Sequence, residues 1–174
     1  MRKILRRQFF DRDTPLVAKE LLGKYIVRKI GKKTIALKIT ETEAYDGFSD
    51  KASHASRGKT ARNTVMFGPA GYFYVYFTYG MHWMLNVVTG KKDYPAAILI
   101  RGVEGYNGPA KLTKFLAIDK KLNALLASPK SELWFEDRGE KVDPKNIKAT
   151  GRIGVNYAGP VWSKKNWRFV FKKK

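Results

Sequence analysis

Apolar and polar positions along the chain follow two rhythms. Leu16, Val17, Leu21 and Leu22 gather on about one side of a helical wheel, between Asp13-Thr14-Pro15 and Gly23. Thr14 can cap such a helix, Pro15 suits its first position because the missing N–H would be unpaired there, and Gly23 suits its stop. This helix reads as packing. The rhythm then changes to alternation, and residues 24–30 and 33–45 read as a hairpin turning at Gly31-Lys32. Successive strand side chains point to opposite faces, so Ile35, Leu37 and Ile39 share one. Continuing that register puts Glu41, Glu43 and Tyr45 on the same face, unless a bulge breaks it. The apolar side of a strand thus runs into two carboxylates. At least one glutamate is expected in a cleft, where desolvation raises its pKa and a nearby cation opposes the shift.

Residues 46–71 form a long connection rich in Gly, Ser, Lys and Arg, the kind of loop that carries function. Residues 72–79 and 82–88 read as a second hairpin, with Gly80-Met81 near its tip. Tyr72, Tyr74 and Tyr76 face one way; Phe73, Val75, Phe77 and Tyr79 face the other. The Phe/Val set reads as core. The tyrosine set fits a stacking platform or ordinary cross-strand packing equally well. The apolar run at 95–100 reads as a buried strand ending on Arg101, a cation that needs an acidic or phosphate partner. Gly108-Pro109 opens a helix carrying Leu112, Phe115 and Leu116. A second short helix carries Leu122, Leu125 and Leu126 and stops at Ser128-Pro129. Leu133-Trp134-Phe135 and residues 167–171 read as further strands, followed by a lysine tail. Neither a repeat nor a composition break divides residues 1–174, and the expectation is one α+β domain.

Charge narrows the function. There are 35 Lys and Arg against 15 Asp and Glu in 174 residues, a net charge of +20. A field of that size draws in polyanions with salt-dependent affinity, so nucleic acid is the leading partner. With no cysteine there are no disulfides, thiolate zinc sites, iron–sulfur clusters or thiol nucleophiles. No apolar run approaches the ~20 residues of a membrane span, and the basic N-terminus lacks the apolar stretch of a signal peptide. The expectation is an intracellular protein with no membrane partner.

Three chemistries compete for the acidic cluster. Glu41, Glu43, Asp46 and Asp50 could hold a divalent metal, as in a nuclease. Two carboxylates could divide acid and base roles on a sugar. One glutamate could activate water while the others are structural. Only His54 and His82 are available as histidines, so a histidine-rich metal site is hard to assemble. Chemistry on a nucleobase requires extruding it from the stack, aromatic side chains can receive it, and a basic surface holds the phosphates. Both features are present here, and a carboxylate able to direct water at the sugar C1′ is the third part. A non-catalytic nucleic-acid-binding module is the remaining alternative.

The chain resembles the alkyladenine (3-methyladenine) DNA glycosylase family. The resemblance rests on Leu21-Leu22-Gly23-Lys24, Glu41-Thr42-Glu43-Ala44-Tyr45, Ala52-Ser53-His54, 57–63, Met66-Phe67-Gly68 and Tyr74-Val75-Tyr76. It continues through Tyr79-Gly80-Met81-His82, Asn86-Val87-Val88, Ile100-Arg101, 108–112 and Gly151-Arg152-Ile153-Gly154-Val155. It implies a curved, mostly antiparallel sheet with surrounding helices and a DNA-intercalating hairpin. By the same resemblance Glu43 is the base that deprotonates the attacking water and Arg101 the arginine beside it. Tyr45, His54 and Tyr76 hold the flipped base, Tyr74 supports the pocket, Asn86 crowds the guanine amino group, and Tyr79 wedges into the duplex. The family uses water as nucleophile, with no Schiff base, metal or cofactor. The implied partner is double-stranded DNA containing damaged purines, bound by a monomer.

Departures from the family pattern fall at Thr78, Trp83, Met84, Gly102 and Gly105, and bear on substrate preference more than on reaction type. The long N-terminal extension of vertebrate members is absent, which implies a bacterial or archaeal form and a cytoplasmic, nucleoid-associated location.

Overall fold

The computed structural model describes residues 2–171; the lysines at 172–174 lie outside the described residues. Ten strands and four short α-helices follow one another among the described residues. They run β1 (Lys3–Ile4), α1 (Arg7–Phe10), α2 (Thr14–Glu20), β2 (Tyr25–Ile30), β3 (Lys33–Asp46), β4 (Phe73–Thr78) and β5 (His82–Val88). Then follow β6 (Ala96–Val103), β7 (Tyr106–Asn107), α3 (Pro109–Phe115), β8 (Leu133–Asp137), β9 (Ile147–Thr150), α4 (Gly159–Ser163) and β10 (Arg168–Phe171). All strand pairs are antiparallel, in the order β1-β8-β2-β3-β6-β5-β4, with β10 joining β3 to β9 and β7 beside β6. The architecture is the expected α+β with a large antiparallel sheet.

One sheet face carries the main core. Val17, Ala18, Leu21 and Leu22 of α2 and its exit, with Leu112 and Leu116 around α3, pack on Ile26, Ile39, Ala44, Phe73, Val75, Leu85, Val87, Ile98 and Ile100. Leu16 of the expected helical stripe is instead exposed. The helix is capped by Asp13, whose carboxylate accepts the Leu16 N–H at 2.9 Å. Thr14 is not the cap. It sits inside the helix, buried, and donates its hydroxyl to Asp46 Oδ1 at 2.9 Å.

The expected alternation along β3 breaks at one point. Ile39 pairs with Val103, Glu41 with Gly102, and Thr42 with Ile100, so Thr40 on β3 and Arg101 on β6 are each an extra residue without a counterpart. Two bulges of one residue each restore the pairing and exchange the faces of everything beyond them. Thr42 and Ala44 therefore turn toward α2, where the Thr42 hydroxyl donates to the Ala18 carbonyl at 2.8 Å. Glu41, Glu43 and Tyr45 lie on the face opposite Ile39, not on its face. Gly102 fits the crossing because a Cβ there would stand 3.1 Å from the Glu41 Cβ and the Thr40 hydroxyl.

The expected second short helix over Leu122–Leu126 is absent. Asp119 caps a single 3-10 turn at Lys120–Leu122, after which the backbone pairs with the start of β4 through Ala124 N–H to Phe73 O and Phe73 N–H to Leu125 O. Leu125 and Leu126 are largely exposed. The segment is too short to nucleate a helix, and a neighbouring strand edge satisfies its backbone instead.

Candidate active site

The second sheet face carries a row of side chains perpendicular to the strands. Tyr74 pairs with Asn86, Asn86 with Leu99, Leu99 with Glu43, and Glu43 with Arg168, crossing β4, β5, β6, β3 and β10. Directly opposed residues point to the same side, so register alone aligns these five groups.

Glu43 has no solvent exposure. Its Oε1 accepts the Ile153 backbone N–H at 2.7 Å, its Oε2 accepts the Tyr45 hydroxyl at 2.8 Å, and Arg101 Nη1 stands 3.6 Å from Oε2. Burial pushes its pKa above the ordinary glutamate value; Arg101, the Ile153 N–H and the Tyr45 hydroxyl pull it back, and Glu41 adds to the rise. Glu41 has a different task. Its Oε1 accepts from Arg101 Nε at 3.0 Å and Arg168 Nε at 2.6 Å, fixing Arg101 with one end on Glu41 and the other toward Glu43. Arg101 thus finds the acidic partner that its place on an inner strand requires.

Beside Glu43 opens a cavity of about 300 Å3 lined by Tyr45, His54, Tyr74, Tyr76, Asn86 and Arg101, among others. His54 Nδ1 is 3.1 Å from the Tyr74 hydroxyl, and the His54 ring meets the Tyr76 ring edge-on at 4.7 Å. Burial first, then Arg62, lowers the His54 pKa, so the ring is neutral at neutral pH. Burial pushes Tyr74 up to about 12 and raises Tyr76 as well, so both remain phenols. Asn86 is buried with its amide donating to the Tyr74 carbonyl at 3.1 Å. The loop presenting His54 is tied by Asn63, which donates to the His54 and Gly58 carbonyls at 3.0 and 2.9 Å. At the rim, Tyr79 is 80% exposed in the left-handed region, with Gly80 following it there, at the tip of the β4–β5 hairpin.

The family profile described as Methylpurine-DNA glycosylase (MPG) matches residues 8–107 and 105–174. The chain belongs to this family. Similar relatives carry the provisional name 3-methyladenine DNA glycosylase. One from Methanocella arvoryzae is 46% identical over 97% of this chain and 92% of its own length. Another from Borreliella burgdorferi is 46% identical over 95% of each chain. A third from Legionella pneumophila is 45% identical over 99% of this chain and 96% of its own length.

In this methylpurine-DNA glycosylase family member, the eight residues singled out by sequence converge: seven line the cavity and Glu43 adjoins it through Tyr45 and Arg101. Thr78 and Met84 also line it, whereas Trp83 packs on Phe77 away from it. The four acidic residues weighed as metal ligands do not converge. Asp46 accepts from Thr14, and Asp50 is bonded to Arg152. No described group of three or more His, Asp or Glu is arranged to hold a metal ion.

The sequence offered Asp50 only as a metal ligand and Arg152 no role; together they hold the site from behind. Arg152 makes a bidentate pair with Asp50 at 2.6 and 2.8 Å, both side chains fully buried. It also donates to the Ala44 and Trp162 carbonyls and lies on the rings of Tyr45 and Trp167. Its neighbour in sequence is Ile153, so the pair places the N–H that Glu43 accepts. The Gly151–Val155 string was part of the resemblance, but nothing local in it announces a contact across 102 positions.

Proposed function

We propose that this protein is a monofunctional glycosylase that hydrolyses the N-glycosidic bond of alkylated or deaminated purines in duplex DNA, leaving an abasic site. The observation that carries the reading is Glu43: a fully buried carboxylate, held by two hydrogen-bond donors and faced by the Arg101 guanidinium, at the side of an aromatic cavity large enough for a purine.

Extruding a base from a duplex costs a few kcal/mol. Stacking among Tyr45, His54 and Tyr76 returns roughly 1–3 kcal/mol per base. Tyr79 enters the gap left in the stack, and Asn86 crowds the exocyclic amino group that distinguishes guanine. Glu43 Oε1 accepts a single donor, the Ile153 N–H, and keeps acceptor capacity to hold a water beside C1′. Arg101 favours the ionised carboxylate and orients that water. As the water oxygen bonds C1′ its proton passes to Glu43, the C1′–N bond breaks, and the bonding pair leaves with the base. The sugar gains positive charge in the transition state, which the same carboxylate stabilises. No metal or cofactor enters this scheme. The net charge of +20 supports a polyanionic partner.

Base release from a duplex carrying a single alkylated purine, in excess EDTA, tests the reading. The expected product is an abasic strand. Failure to release an alkylated or deaminated purine under any condition overturns it; release abolished only by EDTA points to metal chemistry instead.

A further inference from the structure

Two arginines stand behind the walls of the base cavity. Arg152 Cζ is 4.8 Å from the centroid of the Tyr45 ring, and Arg62 Cζ is 5.3 Å from that of Tyr76. Both rings line the cavity and neither arginine does, so each cation touches its ring from outside. Their charges are not equivalent. Arg152 is locked onto Asp50, whose carboxylate cancels most of its field at the distance of the cavity. Arg62 is held by neutral groups: its Nη2 donates to the Phe77 carbonyl at 3.0 Å and its guanidinium rests on Tyr76. Three wall residues feel this charge. Arg62 works with burial to lower His54, and against burial in Tyr74 and Tyr76. Of the other charges near the cavity, Glu43 faces Arg101 and Glu41 faces both Arg101 and Arg168.

We propose that Arg62 sets the charge preference of the base cavity: the guanidinium behind Tyr76 disfavours a base carrying a formal positive charge against a neutral one. This rests on the glycosylase reading and divides its substrates by chemistry. A purine alkylated on a ring nitrogen is cationic within the nucleoside, whereas a deaminated purine is neutral. An aromatic face ordinarily attracts a stacked cation. A cation already on the opposite face weakens that attraction and repels the second charge. The bias also follows chemical need, because a cationic base is already a good leaving group and a neutral one depends more on capture. Arg62 is exposed, so solvent and salt hold the effect to a few-fold.

The test uses duplexes of one sequence holding either 7-methylguanine or hypoxanthine. Single-turnover excision with enzyme in saturating excess gives a cationic-to-neutral rate ratio, and the readout is the change in that ratio. Arg62→Gln is expected to raise it about three- to fivefold, while Arg62→Lys, which keeps the charge, leaves it near the parent value. In the parent enzyme the ratio is expected to rise with salt as the guanidinium is screened. If Arg62→Gln does not fold, the salt series decides alone. A ratio unmoved by Arg62→Gln, or flat in the parent from low to high salt, overturns the inference. Excision of neither base overturns the glycosylase reading instead.

Discussion

Glu43 and Ile153 stand 110 positions apart and are joined by a 2.7 Å hydrogen bond from the Ile153 N–H to Oε1. A backbone donor cannot swing away as a side chain can, so it fixes one carboxylate oxygen and leaves the other to Tyr45 and Arg101. That arrangement fixes the orientation of the carboxylate before any substrate arrives, as the proposed general base requires.

Glu43→Gln is expected to bind lesion duplex with parental affinity and to lose excision by ~10²-fold or more, the usual worth of a positioned general base. Single-turnover rates beside an equilibrium binding assay make the comparison. Full activity in the variant removes Glu43 from its assigned role.

The pH response follows from the raised pKa of Glu43. A base acts in its ionised form, so kcat/KM is expected to fall as pH drops through that value, with the acid limb above the range of an exposed glutamate. Stability runs the other way. A carboxyl whose folded pKa exceeds its unfolded one contributes stability fully present below the unfolded pKa and lost as pH rises through the folded pKa. Glu43→Gln is therefore expected to melt no lower than the parent at neutral pH, with its advantage vanishing in acid. A melting temperature well below the parent's at neutral pH would contradict this.

Asp50→Asn leaves Arg152 buried beside a neutral amide. Breaking a buried pair from one side costs about 3–5 kcal/mol, and urea unfolding should register a loss of that size. Replacing both partners together, as Asp50→Leu with Arg152→Met, is expected to cost less than the sum of the single changes, because no uncompensated charge remains. Additive losses would refute the coupling.

Tyr79→Ala removes a ring that the free protein leaves in solvent. Melting temperature should be unchanged, affinity for lesion duplex weakened, and slow excision retained at saturating enzyme. Unaltered affinity would argue against a wedge.

Both hairpins were legible because alternation and a glycine-containing turn are local signals, and Gly31 and Gly80 do take positive φ. The cleft-facing position of Glu43 was expected by a route that does not hold. Continuing from Ile39 put it on that residue's face, and the paired bulges at Thr40 and Arg101 reverse this. Such a reversal belongs to two strands at once and is invisible in either alone; Gly102, where a side chain would crowd Glu41, is its one trace in the sequence. The cap was misplaced by one residue because Asp13 and Thr14 are both competent acceptors, and only the tertiary bond to Asp46 claims Thr14. The Asp50–Arg152 pair was not legible because a buried ion pair has no periodicity to reveal it.

The docking of β10 on β3 sets an order of assembly. Arg168 pairs with Glu43 and Val170 with Glu41, and the Ile153 N–H reaches the same carboxylate from the segment between β9 and β10. During synthesis, a chain halted before residue 150 could form most of the sheet, yet Glu43 would lack its backbone donor and Glu41 its second arginine. On the proposed mechanism competence therefore arrives late, with the last strands, and an unfinished chain that already carries much of the positive charge can meet DNA without cutting a base from it.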